Sequence, residues 1–323
     1  MSIYEELSGA NRLLFDVELE PLQGERFQPT GFADLGPAEY EAPDGTNKLL
    51  VESPQSMANR LEATCWDNHN ERIRGELEGL PYVKAKLGER EDGHVTTNSL
   101  LEAHRINSEY IIGSSGSEEF RNKFMEEINF ADNRPVDFKA LYKALAKYDP
   151  NSLIHGAFLE EIAGRLKVSR KLSAFIEASG VQPVESGGTK FSRVEPGLRE
   201  GEGNVPFPRT EYVAESMMAY FNLDLEGIRS YGFVEDYEPV GELLVLLGLW
   251  KIDEFFGSGL RLRTACDLQP KGGELSYSIK RPDGLSELPA SEDVIDRIKE
   301  LIGECSQAGI FVENPPKVVQ AQS

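Results

Sequence analysis

Long apolar runs are missing from this 323-residue chain. The longest, Leu243 to Trp250, falls well short of the roughly 18–20 residues that a membrane-spanning helix needs. A basic-then-apolar leader is missing too. The chain opens Met1-Ser2-Ile3-Tyr4-Glu5-Glu6, so no secretory signal is expected. Cysteine is scarce: Cys65, Cys266 and Cys305 are far apart, odd in number and never in CxxC spacing. That excludes a disulfide framework and predicts reduced, partly buried thiols in a cytoplasmic protein. Of the four histidines, His69, His94, His104 and His155, none pairs with another at i+3 or i+4, and no HExxH is present. There is no GxxxxGK[ST] loop, no GxGxxG after a strand and no GxSxG elbow. His69-Asn70-Glu71 matches the H-x-E of zinc deaminases, but the P-C-x-x-C that would complete the site is absent, and a surface loop is the simpler reading. No metal, no cofactor and no catalytic residues are therefore expected. Glu118-Glu119, Glu126-Glu127 and Glu160-Glu161 read as solvated faces of an acidic chain.

Positive charge is also in short supply. Thirty-four Lys and Arg stand against 55 Asp and Glu, for a net charge of −21. Nucleic-acid binders usually carry a basic footprint. Net charge speaks to solubility and non-specific binding, not to what one groove does. An acidic exterior with a local basic track is allowed. At 40% hydrophobic the chain can bury a core and is not disordered.

Apolar/charged alternation through Arg12–Leu19 predicts a half-buried strand, and Lys48–Glu52 a buried one. Ser53 caps a following helix with Pro54 at its first position, and Met57, Leu61 and Cys65 share its apolar face. Residues 21–46 read as loop and 79–96 as irregular. Helices are expected over 137–148, over about 152–164 with Ile154, Phe158 and Ile162 aligned, and from about Ser169 to Ala178, ending at Gly180. Residues 182–209 read as a long functional loop. A strand is favoured at Ala219–Asp224, and a strongly apolar helix at Pro239–Phe256. Leu260 to Cys266 alternates as a strand and Glu274–Arg281 as another. Ser291 caps a last amphipathic helix to about Gln307, and the tail beyond is expected to fray. The C-terminal β-α-β-β-α pattern, with an early strand added, suits an α+β fold with a ferredoxin-like sheet and helices on one face.

Polar and basic side chains cluster at element starts. Gln55, Ser56, Asn59 and Arg60 occupy the first turns of the helix after strand 48–52, where helix amides and side chains can bind phosphate. Ordinary capping and an exposed Arg explain the same residues. Arg165, Lys167, Arg170 and Lys171 form a second cluster, followed by Lys190 and Arg193. Arg261 and Arg263 point one way from a strand, opposite Leu260 and Leu262, and can track a phosphate backbone or simply be solvated. Phe191, Phe207 and Tyr212 can stack on bases or pack in the core.

Several segments, taken together, resemble one family. They are Leu50-Val51-Glu52-Ser53-Pro54-Gln55-Ser56-Met57-Ala58-Asn59-Arg60-Leu61-Glu62, then Ser99-Leu100-Leu101-Glu102-Ala103-His104-Arg105, then Gly164-Arg165-Leu166-Lys167-Val168-Ser169-Arg170-Lys171-Leu172-Ser173-Ala174. Gly203-Asn204-Val205-Pro206-Phe207-Pro208-Arg209-Thr210-Glu211-Tyr212 and Gly259-Leu260-Arg261-Leu262-Arg263-Thr264-Ala265-Cys266-Asp267-Leu268 complete the set. Their order and content are similar to the RAMP-superfamily backbone subunit of the type I-G (formerly I-U) CRISPR Cascade complex, the GSU-type family. The resemblance implies an RRM-like palm with large insertions and a thumb-like hairpin. It divides the chain into one RNA-binding domain over 1–310, with insertions at about 65–135 and 180–210, and a flexible tail over 311–323. It implies a non-catalytic subunit that binds CRISPR guide RNA in several copies, meets target DNA through the guide, and touches other Cascade subunits but no membrane. Chemistry and position within these segments make Gln55, Ser56, Asn59, Arg60, Arg105, Arg165, Lys167, Arg170, Lys190, Arg193, Arg209, Arg261 and Arg263 the expected RNA contacts. Arg60→Ala is expected to weaken RNA binding with little loss of thermal stability. Two other readings remain: a guide-processing endoribonuclease of the same superfamily using His104, His155 or paired carboxylates with magnesium, and a scaffold that touches no RNA.

Overall fold

The computed structural model describes residues 3–321 apart from 33, 91–92, 132, 165, 192–203 and 235–236, with backbone alone at 32, 89–90, 93–95, 163, 189–191 and 204–207. Strand β1 (Leu13–Pro21) follows the expected alternation, burying Leu13, Phe15, Val17 and Leu19. β2 (Asn47–Glu52) leads into α1 (Pro54–Ala63). The Ser53 hydroxyl accepts the Ser56 amide at 3.2 Å, Pro54 pre-sets the first helical φ, and Met57, Leu61 and Cys65 lie in the core. Part of the stretch expected to be irregular is a hairpin of β3 (Val83–Arg90) and β4 (Gly93–Asn98). α2 (Glu118–Glu127) and α3 (Phe138–Tyr148) follow, and Asp137 caps α3 by accepting the Ala140 amide at 3.0 Å.

Two expected helices are corrected. The one over 152–164 ends early, as α4 (Asn151–His155). Gly156 takes φ 84° and lies so close to the neighbouring backbone that a Cβ would meet the Val168 carbonyl oxygen at 2.8 Å. The chain turns there, and Ala157–Phe158 pairs with Lys167–Val168. The segment 169–178 is mostly strand β5 (Leu172–Ser179), with Leu172, Ala174, Ile176 and Ala178 buried. Its period of two outweighs its helix-forming content.

β5 leads into β6 (Gln182–Phe191), and β7 (Asn204–Val213) leads into β8 (Ser216–Leu223). β6 and β7 pair from Gln182↔Val213 to Phe191↔Asn204, so the expected loop is largely a two-stranded ribbon continuing the β5–β8 pair. α5 (Glu238–Gly257) is buried almost all round, as its apolar content predicts. β9 (Leu260–Arg263) and β10 (Cys266–Pro270) form a hairpin where one strand was expected, because Ala265 turns the chain at φ 60°. β11 (Ser278–Arg281) and α6 (Ser291–Gln307) follow. Ala290, not Ser291, holds the cap position, and the Ser291 hydroxyl donates to Asp253 instead. β12 (Lys317–Gln320) pairs in parallel with β3 and buries Val319, so the tail is tied down rather than flexible through these residues.

The main sheet runs β9-β10-β1-β8-β5-β2, with Glu39–Glu41 beyond β2 and β11 beside β1. Every pairing in it is antiparallel. With the outer strands β2 and β9 set aside, β1, α1, β5, β8, α5 and β10 occur in the chain order β-α-β-β-α-β, with strand order β10-β1-β8-β5. α1 packs on β5 and on α5, and α6 packs on α5. This helical layer covers the side that bears Phe15, Ile176, Phe221 and Leu223. The three cysteines are free and buried, as expected. Among the described residues no helix is long and apolar enough to cross a membrane.

Candidate nucleic-acid interface

Glu52, the last residue of β2, is fully buried, and a lone carboxylate there would be costly. Three neighbours compensate its charge, two by hydrogen bonds to one oxygen and one as an ion pair to the other. The Ser56 hydroxyl donates to Oε1, Arg60 Nε donates to the same oxygen at 3.0 Å, and Arg263 pairs with Oε2. Both arginines are anchored on the backbone as well. Arg60 donates to the Leu262 carbonyl, and Arg263 donates to the Gln28 and Val51 carbonyls at 3.0 Å each. Burial holds both guanidinium pKa values below the ordinary arginine value. The carboxylate thus ties α1 to β9, so residues 202 apart in sequence meet. Arg60 is a structural ion-pair partner, which corrects the expectation that its loss leaves stability intact.

A strip of polar and basic groups runs outward from this point along α1. Toward the helix start, Arg170 donates to the Pro54 carbonyl at 3.1 Å and to Gln55 Oε1 at 2.7 Å. Gln55 in turn donates to Asn59 at 3.0 Å, and both amides are exposed. Lys167 is exposed close by, and Phe158, paired with it across the short strands, is 45% exposed. Toward the helix end, Arg60, Arg74 and Arg261 line a cleft of about 310 Å³ together with Trp66, Thr64 and Glu254. Arg74 pairs with Glu254, with Glu76 at 3.2 Å, and lies 5.5 Å from the Trp250 ring centre. The Arg261 side chain is 76% exposed, and its nearest carboxylate, Asp267, is 3.8 Å away. Arg261 is therefore open to a phosphate, as is the exposed Lys167.

Other expected contacts lie elsewhere. Arg105 is buried and makes a two-pronged ion pair with Glu62, both bonds 2.6 Å, so it is a core residue and not a surface contact. Arg209 sits on β7 and pairs with Glu211. Lys190 is on β6, with its side chain outside the described residues, as are Arg165 and Arg193. Of the aromatics, Tyr212 is buried and donates to Glu39, while the side chains of Phe191 and Phe207 lie outside the described residues. His155 is buried, and its Nε2 is 3.1 Å from Lys251 Nζ. Burial and then the Lys251 charge hold its pKa well below the ordinary histidine value. It is out of reach of a substrate, which removes it as a general acid or base; His104 stands on an exposed turn. Among the described residues no three His, Cys, Asp or Glu side chains group to hold a metal.

Sequence reasoning missed Arg74, Trp66 and Phe158 in this strip. Arg74 follows Arg72 and Ile73 in the same Arg-x-Arg alternation as Arg261 to Arg263, a signal that the sequence reading passed over. Phe158 looked like a core position because the segment was read as helical.

No curated protein matches the chain. Many solved chains are similar to it, and two serve as examples. One, described as a CRISPR RNA-guided surveillance complex, pre-nicking, is 11% identical with a TM-score of 0.44, covering 92% of this chain and 89% of its own. The crystal structure of Thermofilum pendens Csc2 is 11% identical with a TM-score of 0.32, covering 92% and 77%. Likenesses of that depth say nothing of function. The sequence profile described as CRISPR-associated protein GSU0053 matches residues 13–183, more than half of the chain. It spans β1, the buried Glu52, α1 and the Lys167–Arg170 end of the strip, and on that match the chain belongs to the GSU0053 family of CRISPR-associated proteins.

Proposed function

We propose that this chain is a non-catalytic, cytoplasmic backbone subunit of a type I-G Cascade complex, gripping guide RNA along the strip beside α1. The observation that carries the reading is the strip itself. Inner arginines are fixed on a buried carboxylate, and outer groups, above all Arg261 and Lys167, are left to face solvent. Fixed inner charges lower the ordering cost of binding, and outer ones reach phosphate. The β-α-β-β-α-β core with strand order β10-β1-β8-β5 supports an RRM/ferredoxin-like palm. The β6–β7 ribbon supports the thumb: at about 3.4 Å per residue its ten-residue strands reach roughly 34 Å. Partners are the guide RNA, further copies of the chain, other Cascade subunits, and target DNA through the guide.

Binding of end-labelled single-stranded RNA, followed by fluorescence anisotropy at rising salt, tests this. Affinity falls with salt and changes little when the RNA sequence is randomised at fixed length, because phosphate carries no sequence information. Arg261→Ala weakens binding to all sequences alike and lowers the salt slope by about 1. Salt-independent binding, strong discrimination among sequences, or cleavage of the RNA by the purified protein contradicts the proposal.

A further inference from the structure

The side of the main sheet facing away from α1 and α5 carries a group that the basic strip does not use. In register across three strands lie Asp16 on β1, Tyr220 on β8 and Phe175 on β5. The Tyr220 and Phe175 rings stack, with centroids 4.8 Å apart and planes 25° apart. Both are half-buried, and neither belongs to the hydrophobic core. In the next row across the sheet stand Leu14, Asn222 and Ser173, and the buried Oδ1 of Asn222 accepts no hydrogen bond. Tyr40, 49% exposed, donates its hydroxyl to Glu177 on the same side.

The charges around the two rings are matched. Lys48 pairs with Glu177 at 2.9 Å, Lys280 with Asp16 at 3.6 Å, and Lys271 with Glu18. A phosphate gains little from such a surface, because each lysine already has its carboxylate. A nucleobase gains more. Its flat face stacks on an aromatic ring whichever base it is, and its exocyclic amine is the kind of donor that the Asn222 oxygen, shielded from solvent and unpartnered, lacks. An aliphatic side chain would cover the rings but leave that oxygen unpaired.

We propose that the Phe175–Tyr220 pair is a platform on which one unpaired nucleobase of single-stranded RNA stacks. The proposal rests on the RNA-binding reading above, but it uses other residues on another face and predicts a different salt signature. Phosphate contacts set the salt slope, and stacking does not.

The test measures binding of single-stranded RNA across a range of salt, with the RNA also carrying a fluorescent adenine analogue that stacking quenches. Tyr220→Ala or Phe175→Ala weakens binding roughly tenfold and relieves the quenching, with the salt slope unchanged. Tyr220→Phe, which keeps the ring, binds like the parent. Arg261→Ala changes the slope and leaves the quenching of bound RNA. Melting curves establish that the variants fold, and quenching by the parent protein is read without any variant. Folded alanine variants that bind and quench like the parent overturn the platform alone and leave the basic strip standing. So do variants that lose only self-association, since the face then docks protein. A parent protein that neither binds nor quenches the RNA overturns both.

Discussion

Arg60→Ala and Arg263→Ala each take one of two cations from the fully buried Glu52 carboxylate. Each single change costs about 1.5–3 kcal/mol of stability, the range for hydrogen bonds to a charged group. Removing both strands a buried charge and costs about 3–5 kcal/mol. Urea unfolding of the single and double variants checks this, and near-neutral singles would show that Glu52 does not rely on them. Asp149 gives a pH signature. Burial is the main cause that raises its pKa from 3.8 to about 6, with Glu62 adding to it and the Ser152 hydroxyl, donating at 2.7 Å, opposing it. The folded chain holds this proton more tightly than the unfolded one. The stability it contributes is whole below pH 3.8 and is lost as pH rises through about 6. Asp149→Asn should flatten that decline in urea midpoints measured across the window, and an unchanged slope would assign the decline to other groups. Neither feature was visible in the sequence, because Glu52 and Arg263, like Glu62 and Arg105, are far apart along the chain and meet only in the fold. Arg261 was legible, since alternation with Leu260 and Leu262 already turned it outward.

Where a segment carried a cap and a period near 3.6, as α1 and α3 do, sequence and structure agree, and α5 was legible from its apolar content alone. Where the two periods compete they part. Leu172 and Ile176 are four apart, which suits a helix, but Ala174 and Ala178 are buried too, and only a strand buries all four. The same misreading hid the platform, because Phe175 and Tyr220 come together only once β5 and β8 pair. The β6–β7 ribbon has its own consequence. Beyond its base, where Phe27 bridges to Tyr212 and Arg26 pairs with Glu211 at 3.2 Å, its strands pair with each other. Replacing 187–208 by a short Asn-Gly turn, which suits a hairpin, should therefore leave the melting midpoint of the chain nearly unchanged. It should abolish the regular spacing of nuclease protection on RNA coated by several copies. A large fall in the midpoint would mean that the ribbon is part of the core.

Across the whole molecule, an excess of 21 negative charges surrounds a strip rich in arginine. Free copies should repel one another, while a shared RNA strand raises their local concentration and brings them together. Single-stranded sites typically span about 4–16 nucleotides per small domain, so a longer RNA holds several copies. On that reading each copy should meet the next through unlike faces, which would leave the array open at its ends. Light scattering of the protein mixed with single-stranded RNAs of increasing length measures this directly. The account predicts a monomer without RNA and a mass that climbs by whole copies as the RNA lengthens. A closed dimer whose mass no RNA changes would contradict it.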